Sequence, residues 1–154
     1  MTTTSGTTRQ VSVSRVIAAE PDAIFAVLAD PAKHGIIDGS GTVRQAKGNP
    51  ERLALGSTFS MGMKIGLSYS TKNTVVEFDE GRLIAWQHFG KHRWRYALEP
   101  VEGGTRVTET FDWSTARSPW FIEKMGYPKK HPASMEKTLE RLDAYVITGE
   151  VPGS

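Results

Sequence analysis

The chain has 154 residues, 38% of them hydrophobic, with a net charge of +2 and no cysteine. One domain of this length can bury roughly 70% of its unfolded surface, enough for a core without staples, and the modest apolar content suits a soluble protein whose core is thin or partly hollow. The missing cysteines exclude disulfides, thiolate metal sites and thiol nucleophiles, the mild charge argues against a nucleic-acid domain, and no apolar stretch approaches the length of a membrane span.

Residues 1–8, rich in Thr with Ser and Gly, and the closing residues 150–154 read as frayed tails around a single domain, 9–149. The start shows no basic stretch followed by an apolar run, so a signal peptide is not expected and the expected location is cytoplasmic. "RQVSVSRVIAA" is a strand: Val11, Val13 and Ile17 alternate with polar residues, although Arg15 shares their phase. "EPDAIFAVLAD" is a helix, with Pro21 at its first position and Asp22 at the positive end of its dipole. Asp30 and Pro31 stop it and start a second short helix, "PAKHGII". A Gly-rich turn and a short strand follow. "STFSMGMKI", "LSYSTKNTVVEF", "RLIAWQHF", "HRWRYALEPV" and "TRVTETFDW" are further strands, joined by "DEG", "GK" and "EGG" turns. "SPWFIEKMGYPKKHP" is short, proline-bounded and partly helical. "ASMEKTLERLDAYVITG" is an amphipathic helix with Met135, Leu139, Leu142 and Val146 on one face and Gly149 at its end.

Consecutive strands joined by tight turns imply an antiparallel meander, and its apolar face needs a cover. The last helix is the only sizeable one. The expected architecture is therefore α+β: a curved antiparallel sheet of about seven strands wrapped around the C-terminal helix, with two short helices after the first strand.

This order resembles the START-like, or SRPBCC, superfamily with its helix-grip fold. The strings that carry the resemblance are "VIAAEPDAIFAVLADPAKH" (16–34), "VVEFDEGRLIAW" (75–86) and, most specific, "WRYALEPVEGGTRVTET" (94–110). The likeness runs from about Val11 to Val146 and is closest to bacterial members filed under polyketide cyclase/dehydrase and lipid transport. It implies a cavity between sheet and helix holding an apolar or aromatic small molecule. It does not imply one reaction, because the superfamily mixes carriers, receptors, aromatases and cyclases.

One residue breaks the alternation of 94–113: Glu109 lies in the apolar phase between Val107 and Phe111. A turn at Glu102–Gly103 sets Leu98 opposite Val107, Tyr96 opposite Glu109 and Trp94 opposite Phe111, and opposite side chains share a face. Glu109 is therefore expected inward beside Tyr96, with its charged form disfavoured. It is either a ligand-facing acid or a structural carboxylate satisfied by Tyr96, a histidine, Arg15 or water. Arg93 falls opposite Asp112, which predicts a solvent-facing ion pair.

The phase of "RLIAWQHF" is open: an odd-length turn puts Ile84, Trp86 and His88 inward, a two-residue turn puts Leu83, Ala85, Gln87 and Phe89 inward, and burial of the larger apolar residues favours the first. His88 is then a candidate proton carrier near Glu109, or a plain hydrogen-bonded histidine at the sheet rim. Glu109, His88 and Tyr96 form the candidate catalytic set. Phe59, Met61 and Met63 form a stripe of period two, as cavity lining or ordinary core, and Tyr69 can join it. The remaining lining candidates are Trp86, Trp94, Phe111, Leu139 and Leu142, with Trp120 and Met125 on a candidate lid. His34 and Asp38 flank a candidate gate at Ile36–Ile37, with a plain surface turn the simpler reading for Asp38.

The four histidines show no metal spacing, and no dinucleotide fingerprint or nucleophile elbow is present. "KHRWR" (91–95) interleaves basic and aromatic residues, but period two splits it into an outer basic and an inner aromatic face. The expectation is a protein that binds a hydrophobic small molecule, lipid or polyketide-like, without cofactor, nucleic acid or stable membrane insertion. The alternative is a polyketide aromatase/cyclase or dehydratase.

Overall fold

The structure is a computed structural model. It describes residues 4–5, 9–39, 43–46, 52–65, 67–88 and 90–151, and their side chains except at 4–5, 43–46, 63–65, 67–71 and 127. The strands are β1 (Thr4–Ser5), β2 (Gln10–Ile17), β3 (Val43–Ala46), β4 (Thr58–Ile65), β5 (Leu67–Asp79), β6 (Leu83–Gln87), β7 (Arg93–Val101) and β8 (Gly104–Asp112). The helices are α1 (Pro21–Leu28), α2 (His34–Ile37), α3 (Pro119–Lys124) and α4 (Tyr127–Thr148), with a 3-10 turn, Pro31–Lys33, leading into α2. All the strands join one sheet in the order β1-β2-β8-β7-β6-β5-β4-β3. β3 to β8 form a meander, and β2 returns to pair with β8. This is the expected helix-grip architecture. The strand beyond the expected seven is β1, a two-residue pairing onto Val11 and Gln10 within the segment read as a tail.

The β7–β8 register is the one that the alternation requires: Trp94 opposite Phe111, Tyr96 opposite Glu109 and Leu98 opposite Val107. β2 adds Val11 beside Phe111 and Val13 beside Glu109. α4 covers this side of the sheet, packing chiefly on β2 and then β8. Its Met135, Leu139 and Leu142 are buried, and each such side chain contributes about 1.5–3 kcal/mol. We call this the inner face.

α4 begins at Tyr127, six residues before the amphipathic pattern is obvious, and holds Pro132 inside it. Pro128 stands in its first turn, where no intrahelical partner for an N–H exists, and the Lys129 and Lys130 amides bond back to the Gly126 carbonyl. Pro132 costs one backbone bond close to the helix start, where the burial of Met135 and Leu139 outweighs it. α1 buries Ile24, Phe25, Val27 and Leu28. The Asp30 side chain accepts from the Ala32 amide at 3.0 Å and caps the 3-10 turn.

The turn between β5 and β6 spans residues 80–82, an odd number, with Gly81 at φ 77. Ile84 and Trp86 are accordingly buried on the inner face. On the outer face, the expected Arg93–Asp112 ion pair does not form although the two residues stand opposite each other. A bulge in β5 between Val75 and Glu77 places Glu77 opposite Ala85, and Ala85 is opposite Arg95. The small alanine lets Arg95 reach across it to Glu77 at 2.7 and 2.8 Å. Arg93 also turns to Glu77, at 2.8 Å. Asp112 instead takes Arg95 at 3.2 Å, Gln10 at 3.0 Å and the Ser114 hydroxyl.

Candidate functional site

Glu109 is 3% exposed on an inner face that is otherwise largely apolar, flanked by Val13 on β2 and Tyr96 on β7. Burial raises its pKa well above the ordinary carboxylate value; the hydrogen bond from the Tyr96 hydroxyl works against this, and the charge of Asp38 adds to it. Tyr96 is raised in turn, by its own burial and by Glu109. Glu109 Oε1 has no hydrogen-bond partner among the described residues. Of the partners the sequence offers, Arg15 is committed elsewhere, to Asp143 of α4 at 2.7 Å.

Asp38 was the residue that sequence reasoning set aside. It caps the C-terminus of α2, its amide bonding the His34 carbonyl at 3.0 Å. The chain there is clamped to α4: the Gly39 amide donates to Thr138 Oγ1 at 2.8 Å, and Arg141 holds the Ile36 carbonyl with bonds of 2.7 and 3.0 Å. A Cβ on Gly39 would sit 2.5 Å from the Ser134 carbonyl oxygen and 2.6 Å from the Thr138 nitrogen. Gly39→Ala is therefore expected to push this loop off α4 and move Asp38 away from Glu109. The expected cost is about 2–3 kcal/mol, read as a lowered thermal midpoint together with a shifted Glu109 titration by NMR.

His34 is buried, and its Nε2–H donates to the Leu28 carbonyl at 2.8 Å. It stacks on Trp86 at 4.7 Å and meets the Phe59 edge at 5.4 Å. Burial lowers its pKa, so it is held neutral. It works as a packing element joining α2 to the sheet. Trp86 also contacts Tyr96, at 5.6 Å.

The structure divides the candidate catalytic set. Tyr96 and Glu109 share a rung, but His88 lies opposite the position of His92, four residues along β7 from Tyr96. That is about 13 Å at strand spacing. His88 belongs to a different cluster. It stacks on His92 at 4.9 Å, His92 meets Phe111 at 5.5 Å, and His131 of α4 meets Phe111 at 4.5 Å and Trp94 at 5.0 Å. Burial lowers all three imidazoles, His88 to about 3 and His131 to about 4. The sequence held a signal for two of the missed members. His92 is in phase with Trp94 and Tyr96, and His131 precedes Met135 by four residues, on the same face of α4 once the helix is known to start at Tyr127.

Asn73 is a third missed residue. It is 2% exposed and stands opposite Phe59 on the inner face. Its Oδ1, like Nδ1 of His92, lacks a hydrogen-bond partner among the described residues.

The sequence of the family described as "Polyketide cyclase / dehydrase and lipid transport" matches residues 8–146. The chain belongs to that family. It is 39% identical over 146 residues to the protein Rv0088 of Mycobacterium tuberculosis (strain ATCC 25618 / H37Rv); the match takes in 91% of this chain but only 65% of that relative's length. Among solved structures it is similar to protein Ms6760 from Mycobacterium smegmatis, with TM-score 0.70 and 17% identity over 97% of this chain and 98% of that one. It is also similar to an AHSA1-like protein from Aeromonas hydrophila, with TM-score 0.67 and 18% identity over 94% and 96% of the two chains. At these identities the structures share the fold.

The residues expected to line a cavity fall as follows. Phe59, Met61, Trp86, Phe111, Leu139 and Leu142 are buried, and Trp94 is partly buried against Phe111 at 4.7 Å. Met63 and Tyr69 stand opposite each other on β4 and β5, but their side chains lie outside the described residues. Trp120 and Met125 do not join the inner face; they are 63% and 44% exposed. α3 buries Ile122 instead. No group of His, Asp or Glu among the described residues has an arrangement suited to a metal ion, and no described helix is long and apolar enough to cross a membrane.

Proposed function

We propose that this family member binds a mostly apolar small molecule along the inner face, with an oxygen-bearing end at Glu109 and Tyr96. The observation that carries the reading is Glu109 Oε1, a buried oxygen with no partner among the described residues. Leaving such an atom unsatisfied costs about 1–3 kcal/mol, and a ligand oxygen or hydroxyl supplies the missing bond. The aromatic side chains Trp86, Trp94 and Phe111 offer flat apolar contact beside it. Asn73 Oδ1 and His92 Nδ1 give a second polar point toward the His88 end. Native mass spectrometry of freshly purified protein tests this: a co-purified species released by organic solvent is expected, and a bare chain from several expression hosts sinks the proposal.

A second reading, a cyclase or dehydratase, rests on the raised pKa of Glu109. A carboxyl whose proton is held more tightly than usual can serve as a general acid, delivering that proton to a ligand carbonyl while Tyr96 holds the resulting carboxylate. Glu109→Gln separates the two readings, because the amide keeps a neutral donor and acceptor but carries no acidic proton. A binder keeps its affinity within about threefold; an enzyme loses turnover of a poly-β-ketone by about 100-fold or more.

The same variant reports on burial. The folded pKa of Glu109 lies above its unfolded value, so its contribution is fully present below about pH 4.5 and is lost as pH rises through the folded value. Glu109→Gln is therefore expected to melt with the wild type at pH 5 and about 3–6 °C above it at pH 9. Equal melting at both pH values would remove the case for an uncharged buried acid.

A further inference from the structure

α3 has one anchored face and one bare face. Ile122 is buried beneath it. The carboxylate of Glu123 accepts from Trp113 Nε1 at 2.7 Å and from Arg9 Nε at 3.1 Å, which fastens the helix to the end of the sheet. On the bare face Trp120 is 63% exposed, Phe121 51% and Met125 44%. These are three of the seven large hydrophobic residues most exposed among those described, gathered within six positions. Lys124 sets its ammonium over the Trp120 ring at 5.2 Å.

The charge around this face has one sign. Residues 114–131 hold Arg117, Lys124, Lys129 and Lys130 against a single acid, Glu123, while the entire chain has a net charge of only +2. All four basic residues are exposed, and Glu123 is already engaged by Arg9 and Trp113. The positive surplus of the protein is thus concentrated where its aromatic side chains are bare.

From this coincidence we infer that α3 and the start of α4 dock on the surface of an anionic lipid bilayer. Trp and Phe enter the interfacial layer, Met125 follows, and the flanking lysines stay at the phosphates with their alkyl stems along the apolar surface. The composition favours a bilayer over a protein partner. Lysine is depleted in protein interfaces, yet three of the four cations here are lysines. Three side chains on a six-residue helix also fall short of the about 1,200 Å² that a specific protein interface buries, whereas shallow insertion needs no such area. The docking rests on the surface of α3 and the start of α4 and holds whether or not the inner face takes a ligand. The site lies next to the His131–Trp94–Phe111 cluster through Trp113, which stacks on Phe111 at 5.6 Å.

Co-sedimentation of the full chain with vesicles tests it, using phosphatidylcholine alone and phosphatidylcholine mixed with phosphatidylglycerol. The wild type is expected to pellet with the mixed vesicles, much less with phosphatidylcholine, and to be released by high salt. Trp120→Ser combined with Phe121→Ser is expected to weaken partitioning by at least about tenfold, and Lys124→Gln with Lys129→Gln by about tenfold on anionic vesicles only. These positions are exposed, so circular dichroism should match the wild type. Glu109→Gln should pellet as the wild type does, which separates this docking from the ligand reading. Wild type that stays in the supernatant with both vesicles, or aromatic variants that pellet unchanged, would overturn the inference. So would a concentration-dependent dimer abolished by the Trp120 and Phe121 changes, since the face would then belong to a second copy.

Discussion

Gly104→Ala is expected to destabilise the protein by about 4 kcal/mol, more than any other single methyl group added to the glycines described. Gly104 opens β8 directly after the β7–β8 turn, at φ 149. A Cβ there would overlap the carbonyl oxygen of Ile17 and stand 2.9 Å from Ala18 Cα. Both obstacles are backbone, so no rotamer change relieves them. Ile17 is itself fully buried and pairs with Thr105, and any retreat of β2 breaks the ladder that carries Val13 past Glu109. Gly103 is the internal control. It lies one residue earlier at φ 87 with nothing within 4 Å of an added Cβ, so Gly103→Ala carries only the dihedral strain, about 1 kcal/mol. Urea denaturation of both variants should separate them by about 3 kcal/mol; equal costs would show that β2 yields to the added methyl.

Acid should destabilise the protein above the pH range in which ordinary carboxylates titrate. His88 and His131 have folded pKa values of about 3 and about 4, and His92 and His34 are also lowered, in each case chiefly by burial. Unfolded histidine titrates near 6.5. Because the folded pKa is depressed, the contribution of each imidazole is complete above pH 6.5 and drains away as pH falls toward the folded value. In the window below 6.5 the unfolded chain binds up to one more proton per buried ring. His88 and His131 alone give a slope of about 2.5 kcal/mol per pH unit around pH 5. The arrangement compounds the effect, since His92 and His131 repel a charge on His88, and His92 and Lys130 repel one on His131. Glu77, lowered by its bonds to Arg95 and Arg93, adds its own loss only as pH falls below the ordinary carboxylate range. His88→Asn with His131→Gln is expected to flatten the limb between pH 6.5 and 4.5 and leave the steeper fall below it. An unchanged limb in that double variant would move the acid sensitivity away from this cluster.

Much of the sheet could be read from alternation alone. Period two over residues 94–113, with a glycine turn between, was enough to set Tyr96 opposite Glu109, because only one register keeps Trp94, Leu98, Val107 and Phe111 on one side. What alternation does not carry is an inserted residue. The bulge at Val76 shifts Glu77 by one place and redirects Arg93 and Arg95 away from the pairing a regular ladder predicts. Proline misled in the opposite sense: "YPKKHP" reads as a boundary, yet its prolines occupy the first turns of α4, and the misplaced boundary hid His131. Asp38 reads from sequence as a plain surface turn because its approach to Glu109 depends on how α2 is clamped to α4 by Gly39, Thr138 and Arg141, contacts about 100 residues apart in the chain. The exposure of Trp120 contradicts the rule that large aromatics seek cover, and that exception is what points to a surface role.

The sheet order has a consequence for synthesis. Strands β3 to β8 each pair with the neighbour that precedes or follows them in sequence, but β2 pairs with β8 alone among the long strands, and Ser12 and Ser14 meet Thr110 and Thr108 at 2.7 and 2.9 Å. A nascent chain therefore emerges with Val11, Val13 and Ile17 unpaired. At translation speeds of about 5–20 residues per second, their partner strand follows about 5–20 s later. The first long strand of this domain to leave the ribosome is thus among the last to find its place, and during that interval its apolar stripe is the segment a holding chaperone would meet.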